Sequence, residues 1–168
     1  EMTAIAVRHR PHAACIVPEK REERTTEGGL DAARGGAKLS DTVAELKDAG
    51  IRVSLFIAPE TVQLEAAHDL GVPVVELHTG TYCDLSGEAR MVELEKVRAA
   101  AELADRMGIE CHAGHGLTFD SVKLIAGIPN IRELNIGHFL IAEAIFTGLP
   151  DAIKEMKKLI RESRLTAS

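Results

Sequence analysis

Aromatic residues are scarce: four Phe, one Tyr and no Trp in 168 residues, 3% of the chain. A core without large rings must be filled by Val, Ile, Leu and Ala, which suits parallel strands buried beneath helices. Cysteine is sparse too. Cys15, Cys83 and Cys111 are odd in number and form no C-x-x-C pair. A disulfide framework and a cysteine-rich metal site are therefore disfavoured, and reduced thiols in a cytoplasm are the expectation. No apolar run is long enough to cross a bilayer, and no secretory leader is visible. With 20 basic against 26 acidic residues the net charge is -6, which argues against a nucleic-acid partner. The motifs H-E-x-x-H and G-x-G-x-x-G are both missing.

What remains is an ordinary globular chain, 45% hydrophobic and sized for one domain with a substantial core. Residues 2–7 read as helix. Ala13 to Val17 is a short apolar run closed by Pro18 and reads as a strand. Glu19 to Gly36 is charged and glycine-rich, and a loop of that length in a compact domain suggests a functional lid. Ser40 can cap a helix carrying Val43 and Leu46, which Gly50 stops. Val53 to Ile57 is a second strand. The next helix, opened by Pro59, places Val62, Ala66 and Leu70 at four-residue spacing and ends at Gly71.

A third strand runs from Val72 to Leu77. The stripe Leu94, Val97, Ala101, Ala104 and Met107 marks a long helix ended by Gly108. Ile109 to Ala113 and Leu134 to Ile136 are the fourth and fifth strands, with a helix between them that Thr118 can cap. Helices follow over residues 139–146 and 152–160, the last with Ile153, Met156 and Ile160 inward. Strands alternating with helices imply a parallel sheet. Even repetition and polar residues at successive strand ends favour a (β/α)₈ TIM barrel. Five strand–helix units plus a leading helix amount to the C-terminal portion of such a barrel, residues 1–168 forming a single domain. An open doubly wound sheet stays compatible with the pattern.

The chemistry-bearing residues collect at those strand ends. Glu76, His78 and Thr79 close the third strand, with Glu76 and His78 on one side by alternation. A carboxylate in a barrel mouth is paired, protonated or bound to ligand; a structural ion pair is the plain alternative. Gly114-His115-Gly116 follows the fourth strand. The flanking glycines suit an exposed, mobile turn that carries a proton-transferring imidazole, against the reading of a loop histidine without a role. His112 is expected to face the core or a neighbouring helix. Gly137 and His138 precede an apolar helix start, where free N–H groups can hold a phosphate; a tight turn that merely carries a histidine is the alternative. His78, Cys111, His112 and His115 lack the spacing of a metal site, and none is expected.

Six segments in order resemble the pyridoxine 5′-phosphate synthase family. They are Ile16-Val17-Pro18-Glu19-Lys20-Arg21, Thr25-Thr26-Glu27-Gly28-Gly29-Leu30-Asp31, Val53-Ser54-Leu55-Phe56-Ile57, Glu76-Leu77-His78-Thr79-Gly80, Ala113-Gly114-His115-Gly116-Leu117-Thr118 and Glu133-Leu134-Asn135-Ile136-Gly137-His138. The resemblance implies a (β/α)₈ barrel that condenses 3-amino-2-oxopropyl phosphate with 1-deoxy-D-xylulose 5-phosphate in vitamin B6 synthesis. It implies no metal or organic cofactor and a cytoplasmic homo-octamer. By position it implies His115 as general acid, Glu76 as a carboxylate stabilising the transition state, Thr25 as a contact to the deoxyxylulose phosphate, and Gly116, Gly137 and His138 as the hold on the aminooxopropyl phosphate. Glu19 to Asp31 matches a closing loop.

The family's Asn-x-Asp-His motif, its phosphate-binding arginines and two general bases find no match in this chain. The expectation is that these 168 residues alone are unstable and inactive. A sugar-phosphate isomerase or an aldolase is the enzymatic alternative, although no strand ends in the lysine a Schiff-base aldolase needs. A truncated barrel acting as a binding module is the non-enzymatic one.

Overall fold

The computed structural model describes residues 1–18 and 28–166. Its elements are α1 (Met2–His9), β1 (Ala13–Ile16), α2 (Gly36–Asp48), β2 (Arg52–Ile57), α3 (Thr61–Asp69), β3 (Val74–His78), α4 (Gly80–Asp84), α5 (Gly87–Arg106), β4 (Glu110–Gly114), α6 (Val122–Ala126), β5 (Ile131–Asn135), α7 (His138–Thr147) and α8 (Leu149–Thr166). All five strands are parallel and lie in chain order, β1-β2-β3-β4-β5. That order decides between the two architectures left open by the pattern. A doubly wound sheet reverses direction at a switch point. Here every connection advances by one strand in the same sense, as in the wall of a (β/α)₈ barrel.

The two faces of the sheet differ by strand alternation. Val53, Leu55, Ile57, Val75, Leu77, Cys111 and Ala113 are buried on one face. They join one core cluster with Leu39, Val43 and Leu46 of α2, Leu64 and Ala67 of α3, and Leu94, Val97, Ala101 and Ala104 of α5. The low aromatic content is thus answered as expected, by aliphatic side chains. Tyr82, fully buried, is the exception. Its hydroxyl donates to the Ser121 carbonyl at 3.0 Å, and the Arg90 guanidinium lies 4.7 Å from its ring centre. The other face carries Arg52, Ser54, Phe56, Glu76, His112, Glu133 and Asn135.

Several sequence expectations are displaced. Helix α2 starts at Gly36, so Ser40 sits inside it and caps nothing. A single 3-10 turn over Ala32–Arg34, capped by Asp31, leads directly into it. The buried Gln63 side chain of α3 holds that turn, accepting from the Ala32 and Ala33 amides at 2.7 and 3.2 Å. The inward face of α3 is accordingly Gln63, Leu64 and Ala67, while Val62 stands exposed. Strand β3 begins only after Pro73, and the short α4 precedes the long helix. Strand β5 starts at Ile131, three residues before the expected Leu134. Thr118 bonds reciprocally with Ser121, but α6 itself begins at Val122. In α8, Met156 is buried as expected and Ile153 is exposed.

Candidate active site at the carboxyl ends of the strands

A cavity of about 690 Å³ opens beyond the carboxyl ends of β3, β4 and β5. Glu76, His115, Gly116, Gly137 and His138 all line it. Thr25 and most of the expected lid, Glu19 to Asp31, lie outside the described residues. The described residues on either side of that stretch lie near the cavity: Val17 lines it, and the Leu30 amide donates to the carbonyl of Phe56, another lining residue, at 2.6 Å.

Glu76 sits in the middle of β3 and reaches over β4. Its Oε2 accepts from Asn135 Nδ2 at 2.8 Å, and Cys15 Sγ lies 3.9 Å from the same oxygen. Gly114 is the strand residue between them. A Cβ on Gly114 would strike Glu76 Oε1 and would come within 2.9 Å of the Asn135 carbonyl. Glycine at that point is therefore what lets the carboxylate lie flat against the sheet. Burial raises the Glu76 pKa above the ordinary carboxylate range. The Asn135 hydrogen bond, attraction to His112 and the Cys15 hydrogen bond lower it in turn, and repulsion from Glu133 raises it again.

His115 leaves β4 with φ +79°, a left-handed conformation unusual for a side chain bearing a Cβ. The following Gly116 has φ +79° as well, and a Cβ there would sit 3.0 Å from Cys83 Cβ. The turn is exposed only in part: Gly114 is buried, His115 half-buried and Gly116 exposed. Thr79, wholly buried, holds it: its amide donates to the Gly114 carbonyl at 2.9 Å. Its hydroxyl lies 2.7 and 2.6 Å from the Gly114 and His115 carbonyls. The His115 ring stacks on His78, centroids 5.0 Å apart and planes 30° from parallel, with Phe56 6.3 Å away. An imidazole so oriented, its ring toward the cavity, suits proton transfer to a bound molecule.

Gly137 is the N-cap of α7 and His138 its first residue. A Cβ at Gly137 would meet nothing within 4 Å, so packing does not demand the glycine. What it leaves open is the approach to the first-turn N–H groups of a ten-residue helix, a setting that favours an anion.

His112 is the residue whose placement departs furthest from expectation. It faces neither the aliphatic core nor a helix. It lies on the cavity side, in register with Glu76. Its imidazole stands 2.7 Å from Glu110 and 3.5 Å from Glu133, and Glu110 also pairs with Arg52 at 2.7 Å. Glu110 is drawn below the ordinary carboxylate range, first by the His112 hydrogen bond and further by Arg52. From His112 and Glu133, level with Glu76, these polar contacts continue toward the amino ends of the strands through Glu110 and Arg52. Sequence reasoning passed over Asn135, Phe56 and Cys15, and gave Thr79 no part. Alternation offered a signal for Asn135: it shares a face with Glu133, two residues before Gly137.

Comparison with known proteins places these residues in a family context. The family model of the pyridoxal phosphate biosynthesis protein PdxJ matches residues 1–162. A pyridoxine 5′-phosphate synthase of Rhodospirillum rubrum is 61% identical over 158 residues, 94% of this chain and 64% of that protein. Those of Ruegeria pomeroyi and Cereibacter sphaeroides are 56% and 54% identical, each with 68% of its length covered. The chain thus spans about two thirds of the length of these relatives. With the family model matched over nearly every residue and these relatives more than half identical, this chain belongs to the PdxJ family.

Proposed function

We propose that the cavity is the condensation site of a pyridoxine 5′-phosphate synthase. It would join 3-amino-2-oxopropyl phosphate to 1-deoxy-D-xylulose 5-phosphate, giving pyridoxine 5′-phosphate, inorganic phosphate and water. The observation that carries this reading is that Glu76 from β3 and His115, Gly116, Gly137 and His138 from the exits of β4 and β5 line one cavity. Supporting it further, the relatives at 54–61% identity bear that enzyme's name.

The chemistry asks for what the cavity offers. Imine formation, phosphate departure, ring closure and loss of water each move protons. A positioned acid or base contributes roughly 10²–10⁴-fold at such a step. His115 is the proposed acid, delivering a proton to a leaving oxygen. Glu76 is the proposed stabiliser of the cationic, imine-like centre that develops opposite it. Gly116, Gly137 and His138 are the proposed hold on the aminooxopropyl phosphate, its charge facing the amino end of α7. Thr25 is proposed to meet the deoxyxylulose phosphate. No metal or organic cofactor enters this scheme.

A cytoplasmic homo-octamer belongs to the same proposal. Helix α7 supports the assembly part, since Ile141, Ile145 and Phe146 stand 61, 78 and 87% exposed, and contiguous apolar surface of that kind marks a protein interface. Assayed at the length of its relatives with both phosphorylated substrates, the protein is expected to release pyridoxine 5′-phosphate and phosphate in equal amounts. Failure to form that product from those two substrates would overturn the reading.

A further inference from the structure

We propose that Asn135 is a positioning residue for Glu76, gripping its carboxylate across the gap that Gly114 leaves in the strand between them. This rests on the proposed role of Glu76 in the condensation. Three strands make the arrangement. Glu76 comes from β3 and Asn135 from β5, so the two are not neighbours in the sheet. Only a residue without a side chain at the β4 crossing lets them meet, and Gly114, in register with both His78 and Asn135, is that residue. The Asn135 amide donates to Oε2 at 2.8 Å while Oε1 lies over Gly114. Both carboxylate oxygens are thereby located, and both contacts come from backbone-anchored positions at strand ends.

A carboxylate that must meet developing positive charge has to be ionised and correctly turned before the substrate arrives. A hydrogen bond to the charged form does both. The groups facing Glu76 are Cys15 from β1, His112 from β4, and Glu133 and Asn135 from β5. From β2 its register partner is Phe56, which does not titrate. Among these, Asn135 makes the shortest recorded contact with the carboxylate and is the largest influence opposing its burial. Asn135 is exposed on its strand and belongs to neither core cluster, so its replacement leaves the aliphatic packing intact.

The test uses two substitutions acting from different strands and a readout independent of turnover. In the protein labelled with ¹³C at glutamate carboxyls, the Glu76 signal is assigned by its loss in Glu76→Gln and titrated in wild type, Asn135→Leu and Gly114→Ala. Loss of the Asn135 donor is expected to move the Glu76 midpoint to higher pH. It is expected to carry the acid limb of the kcat profile with it, and to lower kcat about ten-fold or more at neutral pH, the scale of one hydrogen bond to a charge. KM should stay within about two-fold, because the residue acts through Glu76 and not on substrate. Gly114→Ala, which displaces the carboxylate sterically, should reproduce the loss in kcat. An unmoved Glu76 midpoint in Asn135→Leu, or unchanged kcat, overturns the proposal. Should wild type make no pyridoxine 5′-phosphate at all, the functional reading falls, and the Glu76 titration still decides whether Asn135 holds the carboxylate.

Discussion

On the helix-facing side of the sheet, Val53, Leu55, Ile57, Val75 and Leu77 are each 0% exposed. On the opposite side the same strands present Ser54, Phe56, Glu76 and His112, and their neighbours add Glu133 and Asn135. The first side chiefly hides apolar area in close packing, where one methylene more or less is felt. The second side makes hydrogen bonds and ion pairs of 2.7 to 3.5 Å around two open cavities. Stability is concentrated on one face and chemistry on the other, and strand alternation keeps them apart. Substitutions on the dry face should therefore change folding and leave chemistry intact in the folded fraction. Those on the wet face should act chiefly on turnover, with smaller effects on folding.

The largest effect that sharpens this contrast is expected from His115→Ala. Turnover should fall roughly 10²–10⁴-fold, equivalent to about 3–5 kcal/mol of barrier, with the denaturant midpoint unchanged within error. Steady-state kinetics beside urea unfolding checks both halves; unaltered turnover would remove His115 from the proposed mechanism. From the dry face, Leu77→Ala should cost about 2–5 kcal/mol of stability through a cavity between β3 and the helices. The surviving folded protein should keep its kcat. A loss of kcat in fully folded Leu77→Ala would break the separation of the two faces.

Gly116→Ala lies where the faces meet. It forces a Cβ into a left-handed backbone and toward Cys83, at a cost of roughly 1–3 kcal/mol. Both thermal stability and KM for the aminooxopropyl phosphate should suffer, since the turn and the proposed phosphate hold share that residue. A subtler effect is expected from Glu76→Gln. Burial keeps the Glu76 pKa raised in the folded state, so the fold takes up its proton more readily than the unfolded chain does. Its contribution to stability is greatest below the ordinary carboxylate pKa and declines as pH rises through the raised value. Glu76→Gln should thus gain stability relative to wild type between about pH 4 and about pH 7, while turnover drops. Denaturation at the two pH values tests the sign, and a relative loss would contradict it. The smallest effect belongs to the surface: Lys154→Ala, which removes an exposed i,i+3 pair with Asp151, should move stability by no more than ~0.5 kcal/mol.

Much of the site was readable in the chain. Glycine next to histidine at two strand exits announced where a ligand could approach the backbone, and Glu76, His115, Gly116, Gly137 and His138 line one cavity, Thr25 lying outside the described residues. The readings that missed share a cause. Ser40 is a good cap in isolation, yet the turn at Ala32–Arg34, held by Gln63 from another helix, starts α2 five residues sooner. Val62 fits a four-residue spacing, yet the sheet beneath α3 selects the neighbouring stripe. His112 looks like a core histidine beside Cys111 and Ala113. Only its partners Glu110 and Glu133, the second on another strand, reveal the polar face. In each case the deciding contact is long-range, and local propensity carries no record of it.

The sequence by itself determined the alternation of strands and helices, the aliphatic core, and the types of side chain delivered to the strand ends. These depend on near neighbours: hydrophobic period, glycine at helix ends, and the lack of bulky rings. Tertiary structure alone decided that the strands run in unbroken order, that Thr79 pins the turn of His115, and that Gly114 opens a path from Glu76 to Asn135. Those outcomes join residues 36 to 59 positions apart. Only the packed sheet, with one face dry and the other left to polar contacts, brings such residues within hydrogen-bonding distance.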